Sequence, residues 1–243
     1  MPGEHAPEID SPIRAEAGSP PGGRTRAASR RRRDPASGII ASLGSGLAVA
    51  GFTVLVVRAA SAASAGIVGP GYVAGVSVYG ACLVYRYLIS TLAGFIGERV
   101  PSAGRGRGAL RTLDEAGPFF LPAGTLMPLL LASVPGAWRW VAFGLSWGYA
   151  ILLFPLYLAF LGRLRPRVIP VGYILFFLVF PSLAPIRAAL GEEVFMWMFA
   201  GGALYLFGLL FRGKTGFPYA NAVWQAFALA ASVLQYFGIS AVL

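Results

Sequence analysis

Residues 38–58 read GIIASLGSGLAVAGFTVLVVR, and no charged side chain falls between Asp34 and Arg58. A hydrocarbon core about 30 Å thick takes about 20 mostly apolar residues in one helix to cross it, and this stretch meets that length. A helix apolar on every side has no face to offer water, so its surroundings are lipid or protein. Just before it stand Arg30–Arg33, Asp34 and Pro35. That basic run reads as a solvated anchor beside anionic headgroups, setting the direction in which the first helix enters.

Six more apolar stretches follow, at about 68–96, 115–134, 138–161, 168–186, 190–211 and 218–241. The breaks between them fall at Gly97 to Arg111, Pro135–Gly136, Gly162 to Arg167, Pro185–Arg187 and Arg212 to Pro218, where glycine, proline and charge interrupt the runs. Residues 1–37 are rich in Pro, Gly, Ser and Arg and hold twelve charged side chains. They cannot bury enough apolar area to offset their ordering entropy, so they are expected to be a disordered basic tail. The expected architecture is all-α: this tail, cytoplasmic, followed by a seven-transmembrane-helix bundle over 38–243 with its carboxyl terminus outside.

The basic residues supply the orientation. With the amino terminus inside, the inner segments carry Arg14, Arg24, Arg26, Arg30–Arg33, Arg99, Arg105, Arg107, Arg111, Arg163, Arg165, Arg167, Arg212 and Lys214. The outer segments carry Arg58, Arg139 and Arg187. The bias alternates correctly at every loop, as the positive-inside rule requires, and losing or adding one span would scramble it. An arginine run, an apolar stretch and Ala63-Ser64-Ala65 also resemble a secretion signal, but the apolar stretch is long for one and its removal would invert the remaining spans. Trp138, Trp140 and Trp147 read as an outer interfacial belt.

Across the 243 residues, 56% are hydrophobic and 12% charged, against roughly 25% charged in soluble domains. That excludes a soluble enzyme. The net charge of +10 sits in loops and tail, which points to membrane lipids, with anionic headgroups at the tail, and away from nucleic acid. Cys82 is the single cysteine, so the chain has no internal disulfide. His5 is the single histidine and lies in the tail.

Ionisable groups inside lipid are costly and face a bundle interior or a water cavity. Arg86 lies within the second span, four residues before Ser90 and on the same helix face. Asp114 and Glu115 open the third span; adjacent side chains point about 100° apart, so they do not form a dyad. Arg86 lies about 11 residues, roughly 16 Å, from the inner end of its helix, so pairing with Asp114 would need its long stem to snorkel. Asn221 and Gln225 share a face of the seventh span. Glu192 and Glu193 open the sixth, where a helix dipole favours them.

Four motifs in order resemble the hemolysin III family: Tyr79-Gly80 with Tyr85-Arg86-Tyr87-Leu88-Ile89-Ser90-Thr91-Leu92; Leu113-Asp114 with Ala123-Gly124-Thr125-Leu126-Met127-Pro128; Gly201 to Gly208; and Asn221-Ala222-Val223-Trp224-Gln225 with Gln235-Tyr236-Phe237. The similarity covers about residues 38–243, and its wider relatives are the progestin and adiponectin receptors and, more distantly, the alkaline ceramidases. The resemblance implies a seven-helix bundle with a zinc site near its inner side. In the family pattern the second span reads Ser-Thr-Leu-Tyr-His and the seventh His-x-x-x-His, so three imidazoles hold zinc beside a serine and an aspartate and a metal-bound water is the nucleophile.

This chain keeps the serine as Ser90 and the aspartate as Asp114, but it has Gly94, Asn221 and Gln225 at the histidine positions and Gln235 at a further one. Neutral amides are poor zinc ligands and glycine is none. The expectation is a non-catalytic pseudo-hydrolase of the bacterial inner membrane, with no zinc, Arg86 as a candidate charge substitute, and a pocket open to lipid. The alternatives are a metal-dependent lipid amide hydrolase rebuilt on Asp114, Glu115 or Glu98, a channel or pore-forming protein, and a small transporter. Polar residues are too few for a channel stripe, and no internal repeat marks a transporter.

Overall fold

The computed structural model describes residues 35–95, 105–159, 171–174, 177, 184–212 and 219–243. The expected tail and most of the expected fifth span lie outside them. Within them the chain is all-helical: α1 Pro35–Ser64, α2 Pro70–Phe95, α3 Arg105–Ser133, α4 Gly136–Ala159, α5 Ala184–Leu190, α6 Glu192–Leu209 and α7 Ala220–Ser240. Among the described residues, five of these helices (α1, α2, α3, α4 and α7) are long and apolar enough to cross a membrane. A helix can do so because its backbone groups bond within the segment.

Three boundaries differ from the sequence expectation, one of them the expected break at Pro185–Arg187, which lies within α5. Helix α1 continues past Arg58 to Ser64. Helix α3 starts at Arg105, so residues 105–114, expected mainly as loop, are its first turns. Hydropathy marks where lipid begins and carries no information about where helical hydrogen bonding begins. At 29 residues, α3 is about 43 Å long, well beyond the hydrocarbon thickness.

The helices pack in the order α4, α3, α2, α1, α7, α6, and α5 touches both α6 and α3. Helix α3 is the most buried, whereas α1 and α4 show most of their surface outward. The core runs through Leu55, Tyr72, Val76, Tyr79, Phe119, Leu129, Tyr205 and Trp224. Helix α3 carries Pro118, Pro122 and Pro128 within it. Proline removes a ladder donor and would break most helices in water, but neighbouring helices in a membrane bundle compensate for it.

Close approach is made possible by glycine. A Cβ added at Gly75 of α2 would stand 2.5 Å from the Pro128 Cα of α3, and one at Gly80 would overlap the Phe52 ring of α1. Lipid tails are as apolar as leucine, so van der Waals contact at this range, rather than water release, holds such helices together. Gly136 and Gly191 take positive φ (61° and 78°) at the turns before α4 and α6, a conformation that costs glycine little.

Trp138 and Trp140 are exposed at the start of α4, consistent with a belt position. Trp147 is placed differently: its indole N–H donates to Met127 Sδ of α3 at 3.1 Å, so it ties two helices together.

Candidate functional site

Helices α2 and α3 run antiparallel, with Gly75 beside Pro128, Cys82 beside Gly124 and Arg86 beside Gly117. Arg86 lies nine residues before the end of α2, and Asp114 lies nine residues after the start of α3. The two are therefore at one depth, and the expected gap between them does not exist. The sequence expectation failed here because it began the third helix too late. Gly117 clears the space: a Cβ there would meet Arg86 Cδ at 2.5 Å.

Arg86 is buried, at 4% exposure, and three groups converge on it. Its Nη1 donates to Ser90 Oγ, one turn along α2. The same Nη1 lies 3.7 Å from Asp114 Oδ1, and the Ser90 hydroxyl in turn donates to that oxygen. Its Nη2 donates to Gln225 Oε1 of α7 at 3.2 Å. One guanidinium thus joins three helices. Its planar fork of donors suits such a role, and a buried charge in this setting needs both a counter-ion and hydrogen bonds.

The remaining predicted positions are placed apart from this ring. Gly94 lies one turn beyond Ser90, and a Cβ on it would face the Gly38 Cα of α1 at 3.4 Å. Asn221 is exposed and donates to Ser37 Oγ at 2.9 Å. It shares a helix face with Gln225, yet its turn of α7 ends against the first residues of α1. Gln235 is ten residues beyond Gln225, roughly 15 Å along the helix. Its Oε1 is buried and has no hydrogen-bond partner. It lines an apolar crevice of about 80 Å³ with Thr125, Met198, Phe199, Gly202 and Tyr205, and Arg187 is also at its wall. Arg187 pairs with Glu192 at 3.3 Å on the exposed surface. Glu115 is buried next to Asp114. Glu98 lies outside the described residues.

Two features were not anticipated from sequence. Ser232 of α7 joins the hydroxyls of Tyr87 (2.9 Å) and Tyr205 (2.7 Å) while itself donating to the Ala228 carbonyl. A serine inside an apolar span is a signal for such inter-helix bonding, but it does not identify the partners. Arg212, just past the end of α6, lies over the Trp224 ring at 5.4 Å. Burial lowers its proton affinity from the usual arginine value, the nearby Arg86 charge lowers it further, and Asp114 opposes both.

The residues present do not fit zinc. Where the resemblance implies imidazoles, this chain has a glycine facing α1, an exposed amide bonded to Ser37, and an amide oxygen accepting from arginine. The one carboxylate in the ring already has a cation beside it. Among the described residues, no three His, Cys, Asp or Glu side chains come together.

The model of the haemolysin-III related family matches residues 32–236. The chain is similar to Hemolysin-3 of Bacillus cereus, 26% identical over 208 residues that make up 85% of this chain and 90% of that protein. It is also similar to the Hemolysin-3 homolog of Bacillus subtilis (strain 168), 26% identical over 163 residues, 66% of this chain and 73% of that one. No solved structure matches the chain.

Proposed function

Because this chain belongs to the haemolysin-III related family and is an integral membrane protein, we propose that it is a non-catalytic member, in which an arginine-centred polar ring holds the helices together where the resemblance implies a metal. The observation that carries this reading is the set of contacts of Arg86 with Ser90, Asp114 and Gln225. A guanidinium provides positive charge and directed donors, but unlike zinc it has no open coordination position at which to acidify a water. On this reading the protein is a pseudo-hydrolase with seven spans in the inner membrane, amino terminus cytoplasmic and carboxyl terminus outside, and the crevice beside Gln235 is open to a lipid chain. A periplasm-active phosphatase fused after Leu243 should be active, and activity only of a cytoplasmic reporter there would refute the topology.

The decisive experiment is metal content of the purified full chain. The wild-type protein should carry no zinc above background. Stoichiometric zinc in the wild type that is lost in Asp114→Ala would overturn the proposal in favour of a rebuilt carboxylate site, and lipid amides would then be the substrates to test.

The relatives' name supports a second reading, membrane lysis. Release of a trapped dye from vesicles tests it. A pore needs a polar stripe along several helices, whereas the buried polar groups among the described residues are few, and Arg86, Ser90, Gln225 and Ser232 are taken up in bonds between or within helices.

A further inference from the structure

The Arg212 guanidinium lies over the face of Trp224. That contact engages its flat side and leaves its in-plane N–H donors to find other acceptors. Its Nη1 is buried and has no hydrogen-bond partner. The adjoining sequence supplies no counter-ion: residues 205–225 contain Arg212 and Lys214 and no acid. Asp114, whose charge acts on it, is already held by Ser90 and Arg86. Trp224 directly precedes Gln225, which accepts from Arg86. Among the described residues, Arg86 and Arg212 thus bring two positive charges to neighbouring positions of α7, Gln225 and Trp224, and the Nη1 of Arg212 is the donor left without a partner. A guanidinium N–H shut away from water without an acceptor is unfavourable at low dielectric, and an anion's oxygen meets the deficit.

We propose that Arg212, backed by Trp224 and by the charge of Arg86, is a binding site for a phosphate group, either free or on a lipid headgroup. The donors of a guanidinium match two phosphate oxygens at once. Arg212 is only partly covered and follows the end of α6, which the seven-span reading proposed above brings to the headgroup layer. This inference rests on the reading that arginine, and not a metal, supplies the positive charge of this region.

The test uses the full chain in phosphatidylcholine nanodiscs. One arm adds inorganic phosphate against chloride at matched ionic strength; the other includes dioleoylphosphatidic acid in the disc. A saturable rise in the thermal unfolding midpoint is expected. A rise with inorganic phosphate supports a free ligand, and a rise with phosphatidic acid alone supports a headgroup. Arg212→Gln should weaken the binding by about tenfold or more, the value of a charge-assisted hydrogen bond, and Arg58→Gln at the exposed end of α1 should leave it as it was. If Arg212→Gln does not fold, Arg212→Lys keeps the charge and loses the fork, and it too should bind phosphate more weakly. No response to either probe, or undiminished binding by the Arg212 variants, would overturn the proposal. Zinc content is read on separate samples, so a metal-loaded wild type would sink the pseudo-hydrolase reading without deciding the phosphate titration.

Discussion

Removing the two ends of the Arg86–Asp114 pair should not cost the same. Arg86 is 4% exposed and Asp114 32%. Asp114→Asn takes the counter-charge from a guanidinium that has almost no access to water and is then left with the Ser90 hydroxyl and the Gln225 amide. Breaking a buried ion pair from one side costs about 3–5 kcal/mol. Arg86→Met leaves a carboxylate that keeps the Ser90 donor and can hydrate, so the penalty is screened to about 1–2 kcal/mol. The double variant has no stranded charge and should cost little more than Arg86→Met alone. The singles then exceed the double by about 3 kcal/mol, the upper range of coupling between contacting residues. The assay is reversible unfolding of the detergent-solubilised chain by rising mole fractions of sodium dodecyl sulfate, followed by tryptophan fluorescence, as a full double-mutant cycle. Additivity within about 0.5 kcal/mol, or a larger loss for Arg86→Met than for Asp114→Asn, would refute the account of the ring.

The same titration checks two further expectations. Gly75→Ala should lose about 1–3 kcal/mol, because its methyl meets the Pro128 backbone rather than a side chain that can swing away; Gly46→Ala, with nothing within 4 Å, should stay within about 0.5 kcal/mol of wild type, and equal losses would show that helix approach is not what Gly75 provides. Ser232→Ala and Gln235→Leu should have opposite signs. The first strands two phenol hydroxyls at about 1–3 kcal/mol, while the second removes a buried carbonyl that has no partner and should leave stability unchanged or higher by about 1 kcal/mol; a loss with Gln235→Leu would mean that this amide has a partner in the membrane.

The class of this protein was legible in its sequence because hydropathy is a property of each residue against its solvent. An uninterrupted stretch such as 38–58 has no stable alternative to a helix in lipid. Helical periodicity went one step further: it placed Arg86 and Ser90 on one face, and they do bond. The absence of histidine from residues 38–243 was likewise plain without coordinates. What sequence did not yield was register between helices. The arginines at 105–111 resemble a loop to any measure of apolarity, yet backbone hydrogen bonding is indifferent to the side chains it carries, and α3 runs through them. Only that early start brings Asp114 level with Arg86. The same limit explains Asn221 and Gln225, alike in face and type, of which one meets the ring and the other Ser37. Position along the axis separates them, and it depends on where α1 and α2 end beside α7. The tertiary structure alone decided that Arg86 meets Ser90, Asp114 and Gln225 together and so joins the second, third and last helices.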